Sequence, residues 1–361
     1  MIVLHIACLD ERKSSGPNIN VPKNVLHGRK YAQVALFNLK ESDPPIKLPK
    51  NSYFSIRDYK SVSELPNPFN RPDIVVFQGV YFVQYCQIAK WLKKNNIPYI
   101  IVPRCSMTTA AIKSHALKKK TANILFFNKF IKNAAKIQFL TQNEYNESKN
   151  NFIFKDHFIL GNGIELPAQK YKVKNRNSFK IVFIGRYNVY HKGLDVLLDA
   201  VNNNKDWFVK NRASLLLYGS DSDNGLAYLE KRIVDDGLGN IVQICGPVFD
   251  DEKEKALLDS DVFIHTSRLE GQPTSVIEAI SYGVPVIVTP GTNVADIVEN
   301  EKLGYTTKLN PEAVFKCIQD SFADKDNFSE ISKREKIYAG KNFVWDKIIE
   351  ESIKEYTNEV K

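Results

Sequence analysis

The chain has 361 residues, 43% hydrophobic and 25% charged, which is long enough for two ordinary globular domains. Its 17 Gly and 16 Pro follow no period, and the mixed composition excludes collagen-like, coiled-coil and wholly disordered chains. The net charge of +9 is uneven: residues 1–175 hold 27 Lys and Arg against 11 Asp and Glu, a net +16, whereas residues 176–361 hold 23 against 30, a net −7.

Met1–Leu9 is apolar, lacks a basic leader and runs into Asp10-Glu11-Arg12-Lys13, so it is expected to form a buried first strand rather than an export signal. Strands are also expected at Ile74–Gln78, Ile97–Val102 and Ile137–Leu140, with helices near Val80–Lys94 and Ile112–Lys132. Residues 43–70, interrupted by Pro, suggest short strands and loops. Polar residues from Pro167 to Asn177 have no periodicity and suggest a linker. A second domain then opens with Lys180–Gly185, read as a fully buried strand closed by Gly, and continues with strands at Ser214–Tyr218, Ile241–Ile244, Val262–Thr266 and Pro285–Thr289. Helices are expected between them near Leu194–Asn202, Leu226–Asp236, Lys253–Leu258, Ser275–Tyr282 and Ala295–Asn300. Trp345, Ile348, Ile349, Ile353 and Tyr356 recur at helical spacing near the end. The expected division is a domain at 1–170, a linker at 171–179, a domain at 180–340 and a helix within 341–361. Alternating apolar runs and helical patterns imply α/β architecture with parallel, doubly wound sheets, whose ligands bind beyond the carboxyl ends of the strands. The five cysteines (Cys8, Cys86, Cys105, Cys245, Cys317) are far apart, without metal or redox spacing, which suits free thiols in a reducing cytoplasm.

The richest stretch runs from Ser267 to Ile287. A buried strand ends in a Gly/Pro loop carrying Glu270, a helix starts at Thr274 or Ser275, and Glu278 follows in its first turn. Free N–H groups and the positive dipole end at Thr274–Ser275 suit a phosphate. Ser275-x-x-Glu278 is equally a capping box, in which Glu278 only satisfies a backbone donor. Glu270 has no such structural task, and two carboxylates beside a phosphate-sized site suit sugar hydroxyls. The loop after the first strand of the same domain, Gly185 to Gly193, brings Arg186 and Lys192 to the same end of the sheet, where two cations and a helix terminus make a diphosphate clamp.

From Lys180 to Tyr305 these residues resemble the nucleotide-sugar-binding domain of retaining GT-B glycosyltransferases of family 4, the group 1 glycosyltransferases. The resemblance rests on Gly185-Arg186, Lys192-Gly193, Gly246-Pro247-Val248, the Glu270 and Glu278 pair, and the segment Pro285–Pro290. It implies two Rossmann-like domains facing each other across a cleft. It further implies that Arg186 and Lys192 hold the donor diphosphate, Glu270 the transferred sugar, Glu278 the ribose, the backbone near Val248 the base, and Thr274–Ser275 the phosphates. The first half is similar to the acceptor domain of the family: Ser14–Asn18, with Gly16, resembles its loop over the diphosphate, Gly161-Asn162-Gly163 its closing turn, and Trp345–Tyr356 the last helix, which crosses back to the first domain. Where many members have His-Gly after the proline equivalent to Pro103, this chain has Arg104-Cys105, so Arg104 is an acceptor-side candidate.

No P-loop, dinucleotide-binding fingerprint or metal-binding cluster is present in the sequence. The resemblance implies retaining transfer of a sugar from a UDP- or GDP-sugar to a glycan or lipid-linked glycan hydroxyl, without metal or other cofactor, and together with the basic first half it suggests bacterial surface polysaccharide assembly. The alternatives are a noncatalytic sugar-nucleotide or nucleic-acid binding module, or an epimerase or phosphorylase on the same fold. Lys113, Lys118–Lys120, Lys129, Lys132 and Lys136 mingle with Ile124–Phe127, Phe130 and Ile131. No nucleic-acid motif accompanies them, so nucleic acid is not an expected partner. Two readings remain for this segment: an ordinary helix with one solvated face, or peripheral docking on the cytoplasmic face of an anionic membrane.

Overall fold

The computed structural model describes every residue except 114–120, 169–170, 173, 175–176 and 361. It forms two compact units, Met1–Gly163 with Trp345–Lys361, and Ile164–Val344. The second unit thus begins at Ile164, a few positions before the boundary expected at 170. Ile164 bridges Val344, and Tyr171, inside the expected linker, is buried and donates its N–H to the Tyr282 carbonyl at 3.2 Å.

The first unit is built on seven parallel strands: β1 (Ile2–Ala7), β2 (Gln33–Asn38), β3 (Tyr53–Ser55), β4 (Ile74–Gln78), β5 (Tyr99–Val102), β6 (Lys136–Phe139) and β7 (His157–Ile159), in the order β3-β2-β1-β4-β5-β6-β7. The strands are continuous apolar runs because helices cover both faces. Side chains alternate between the two faces, so Leu4, Ile6, Val75 and Phe77 enter one core, while Val3, Ala7, Ile74 and Val76 enter the other. Two elements absent from the sequence-based expectations complete the centre of this unit, the Gly16–Gly28 helix and β2. The expected helix at Ile112–Lys132 is described only in part. Its described residues form a helix at Thr109–Lys113, a π-helical turn at Asn123–Phe127 and a helix at Asn128–Asn133, and Lys118–Lys120 lie outside the described residues.

The last helix, Trp345–Thr357, packs within this unit through Trp345, Ile348, Ile349 and Tyr356. Trp345 stacks on His27, with ring centroids 5.4 Å apart, and a Cβ on Gly163 would lie 2.3 Å from its ring. Lys136 pairs with Glu355 of this helix at 2.7 Å and is largely buried, so it is not part of an open cationic face.

The second unit has six parallel strands: β8 (Phe179–Ile184), β9 (Ala213–Tyr218), β10 (Val242–Gly246), β11 (Val262–His265), β12 (Val286–Val288) and β13 (Gly304–Thr306), in the order β10-β9-β8-β11-β12-β13. Phe179, Ile181 and Phe183 face one core, whereas Val182 and Ile184 face the other. Strand order reverses between β8 and β11, a topological switch point at which the loops leaving the two strands diverge and open a crevice. Helices at Pro311–Ala323 and Phe328–Asn342 complete the unit. Among the described residues, no helix is long and apolar enough to cross a membrane, and all five cysteines are free thiols.

Candidate active site

The loops that leave β8 and β11 carry most of the residues singled out in the sequence. β8 closes at Gly185 and is followed by Arg186, which is exposed and whose guanidinium has no ion pair among the described residues. Tyr187 is then buried, donating its hydroxyl to the Leu217 carbonyl at 2.7 Å. Asn188 caps a single helical turn, Val189–Lys192, by accepting from the His191 N–H at 2.9 Å. These anchors leave Lys192 at the end of the turn, before Gly193.

Gly193 lets the two loops meet. Its φ is +63°, and a Cβ there would lie 2.1 Å from the Thr266 carbonyl oxygen, so both conformation and space require glycine. Thr266 donates its hydroxyl to the Lys192 carbonyl at 3.0 Å, and Arg268 donates to the Tyr190 carbonyl and, through both terminal nitrogens, to Asp195 at 2.7 and 2.8 Å. The guanidinium of Arg268 also lies over the Tyr190 ring, 4.6 Å from its centroid.

Lys192 and Glu270 consequently form a direct ion pair, with side chains 13% and 16% exposed. The sequence gives these two residues separate tasks, diphosphate and sugar, whereas the fold makes them one charged unit. Glu270 Oε1 also meets His265 Nε2 at 3.2 Å and accepts from Ser267 Oγ at 2.9 Å, and Asn293 donates its amide to the Glu270 carbonyl. Burial favours the neutral Glu270 acid, but the Lys192 ammonium and His265 outweigh it and hold the carboxyl below the usual carboxylate range. His265 is buried, between Phe183 and Phe263, whose ring centroids lie 5.2 and 5.9 Å away, and burial lowers its pKa against the opposing pull of Glu270. Its Nδ1 has no hydrogen-bond partner. His265 was missed as a site residue; the available signal was a titratable side chain at the end of an otherwise apolar strand, five residues before Glu270.

The helix after this loop runs from Thr274 to Tyr282 with Pro273 at its N-cap and no side-chain cap hydrogen bond. Ser275 therefore sits inside the first turn, and the capping-box alternative for Glu278 is not realised. Glu278 Oε1 pairs with Lys253 at 2.7 Å, while its Oε2 is buried without a partner, an arrangement that leaves an acceptor unsatisfied. Val248 follows β10, half-buried on the core face that includes Val276 and Ile277. Among the described residues no cluster of three His, Cys, Asp or Glu could hold a metal ion.

Gly16 and Arg104 belong to the first unit. Gly16 opens the Gly16–Gly28 helix, with Pro17 in its first turn. Arg104 follows β5 and has a positive φ of 51°, as does Cys105 at 64°. Its guanidinium donates to Gln78 Oε1 at 3.1 and 2.8 Å and to Asn162 Oδ1 at 3.4 Å, and Gln78 in turn meets His5 Nδ1 at 3.1 Å. Burial lowers the Arg104 pKa to about 10. Glu144, itself buried, accepts from the Cys105 and Leu140 N–H groups and so supports the left-handed turn from beneath.

Residues 178–324 match the family model described as "Glycosyl transferases group 1". An uncharacterized glycosyltransferase from Methanocaldococcus jannaschii is 25% identical over 177 residues, covering 49% of this chain and 44% of that protein, so the match spans less than half of the archaeal relative. Sucrose-phosphate synthase from Thermosynechococcus elongatus superposes with a TM-score of 0.79 over 99% of both chains at 15% identity. Anabaena HepE, solved in complex with UDP and glucose, gives a TM-score of 0.75 over 99% of this chain and 100% of its own, also at 15% identity. Identities this low speak for the fold. Residues 178–324 thus match the group 1 glycosyltransferase model, in a chain with the two-sheet GT-B fold.

Proposed function

We propose that the chain transfers a sugar from a UDP- or GDP-sugar to a glycan hydroxyl with retention of anomeric configuration. The observation that carries this reading is the largely buried Lys192–Glu270 pair at the switch point of the second sheet, with Glu270 in the loop that leads into the helix at Thr274. Arg186, exposed and without an ion pair among the described residues, is available to the donor diphosphate, with the N–H groups of Thr274 and Ser275 as further donors. The unsatisfied Oε2 of Glu278 suits a ribose hydroxyl, and the backbone near Val248 the base. Glu270, kept ionised, offsets positive charge developing at the anomeric carbon, while Lys192 and the helix terminus stabilise the departing diphosphate. These groups supply the positive charge a leaving diphosphate needs, so the proposed reaction runs without a divalent metal or other cofactor. The complex of HepE with UDP and glucose supports a nucleotide-sugar donor by analogy of fold.

The acceptor proposed is a lipid-diphosphate-linked glycan in bacterial surface polysaccharide assembly at the cytoplasmic face of the membrane, supported by the +16 charge of residues 1–175 and by the resemblance to family 4. Arg104 is proposed to serve the acceptor side. The test is a panel of UDP- and GDP-sugars incubated with the protein and with EDTA-treated protein, following free nucleotide diphosphate and, by NMR, the anomer first released. Hydrolysis of one donor class with the parent anomer released, unaffected by EDTA, is expected. No turnover of any donor, with or without a glycan acceptor, would overturn it.

A further inference from the structure

Between Asp73 and Glu144 lie seventy consecutive residues without a single Asp or Glu, and they include eleven Lys and Arg. Within this stretch the run Ile124-Leu125-Phe126-Phe127 cannot be buried whole, because consecutive residues on a helix point to different sides. The structure resolves the conflict by anchoring one end. Phe127 is buried with its ring edge-on to Tyr81, at 5.0 Å, and Phe130 is buried and stacked on Tyr99, whose hydroxyl donates to the Phe130 carbonyl at 2.7 Å. The chain passes these anchors as a π-helical turn at Asn123–Phe127, and Ile124, Leu125 and Phe126 stand outward, 68%, 64% and 44% exposed.

Single exposed apolar side chains are ordinary on a protein surface, but three adjacent ones on one turn are not. Among the described residues this is the one place where large exposed apolar side chains are consecutive. Lys129 and Lys132 are exposed on the next helix, and Lys90 is exposed on the neighbouring Val83–Lys94 helix, whose Cys86 Sγ lies 3.9 Å from the Phe126 carbonyl oxygen. A second copy of the chain meeting the same surface would bring these cations together, and a nucleic acid would leave the three apolar side chains without a partner.

We infer that Ile124, Leu125 and Phe126 insert into the interface of an anionic lipid bilayer, with Lys90, Lys129 and Lys132 at headgroup level. The surface is argued from its own residues; only its purpose, bringing the enzyme to a lipid-linked acceptor, rests on the function proposed above.

The experiment is co-sedimentation of the full chain with phosphatidylcholine vesicles with and without phosphatidylglycerol, across a salt series. Binding to the anionic vesicles that weakens with salt is expected. Leu125→Asp combined with Phe126→Asp should lower partitioning by about tenfold or more, and Lys129→Gln with Lys132→Gln by roughly tenfold. Both variants should melt like the parent, because the substituted side chains are exposed, and hydrolyse soluble donor at the parent rate. Parent-like sedimentation of a folded apolar variant, equal binding to neutral vesicles, or self-association that the apolar variant abolishes while vesicle binding persists would each overturn the inference. A folded Lys192→Met chain that sediments but turns over no donor leaves the surface standing, whereas an active parent that ignores vesicles removes the surface and leaves the transferase.

Discussion

Replacing Lys192 by Met keeps most of the side-chain stem and removes the charge, leaving the Glu270 carboxylate, 16% exposed, without its Lys192 counter-charge. Breaking a fully buried ion pair costs about 3–5 kcal/mol, and the remaining exposure of both side chains lowers the expectation to about 2–3 kcal/mol. That corresponds to a fall in Tm of about 4–12 °C for a domain of this size. Glu270→Gln removes the other charge, and the double variant, with neither, should be more stable than Lys192→Met alone, with a coupling of about 1–3 kcal/mol in the cycle. The pH dependence has a defined sign. Glu270 has its folded pKa depressed, so its contribution is present above the unfolded value of about 4.3 and is lost as pH falls through the folded one. The gap between parent and Lys192→Met should therefore be full at pH 7 and close in acid. In activity the same variant should lose about 2–4 kcal/mol of transition-state stabilisation, roughly 30- to 1000-fold in kcat. Urea melts of the four proteins across pH and initial rates of donor hydrolysis measure both effects. Single-variant penalties that simply add in the double variant would refute a folded-state interaction between the two charges.

Arg186→Ala should cut donor turnover by about 2–4 kcal/mol in the transition state, yet leave urea stability within about 0.5 kcal/mol because the side chain is exposed and without an ion pair; parent-like turnover would remove it from the clamp. Glu278→Gln should weaken UDP or GDP binding measured by calorimetry more than it lowers stability, and unchanged affinity would leave Glu278 with Lys253 as its sole task. Glu335, buried on the Phe328–Asn342 helix with both oxygens unpaired, has its pKa pushed well above the carboxylate range by burial. Its fit to the fold is complete below the unfolded pKa and is lost as pH rises through the folded one, so Glu335→Gln should be more stable than the parent at pH 8 by about 1–3 kcal/mol, with the advantage shrinking toward pH 5 in urea melts.

Much of the fold was legible because parallel strands buried on both faces are written as unbroken apolar runs: Ile2–Ala7 and Ile74–Gln78 are found with the expected bounds, and the five strands expected in the second unit lie within a residue or two. The edge strands Tyr53–Ser55, His157–Ile159 and Gly304–Thr306 have three residues each, too few to show any period. The Pro311–Ala323 helix is announced by an Asn310 cap and a Pro in its first turn rather than by a strong apolar run. At residues 112–132 helical composition was clear, but the π-turn at Asn123–Phe127 depends on how Phe127 and Phe130 anchor on Tyr81 and Tyr99, a tertiary fact.

For the site, residue types were readable and their approach was not. Lys192 and Glu270 are 78 positions apart, and each loop alone is compatible with side chains that never touch. What joins them is the absence of a side chain at Gly193, which lets the end of the helical turn lie against the Thr266 carbonyl, together with Arg268 reaching across to Asp195 and Tyr190. In the sequence Gly193 is half of a common Lys-Gly pair, and Arg268 is one cation among many. Their importance is geometric: with Gly193 packed against the Thr266 carbonyl, Lys192 pairs with Glu270, so under the proposed function a phosphate that draws on Lys192 does so in competition with Glu270. The local electrostatics of the two roles are therefore coupled, and a change at either residue is expected to appear in both diphosphate binding and sugar transfer.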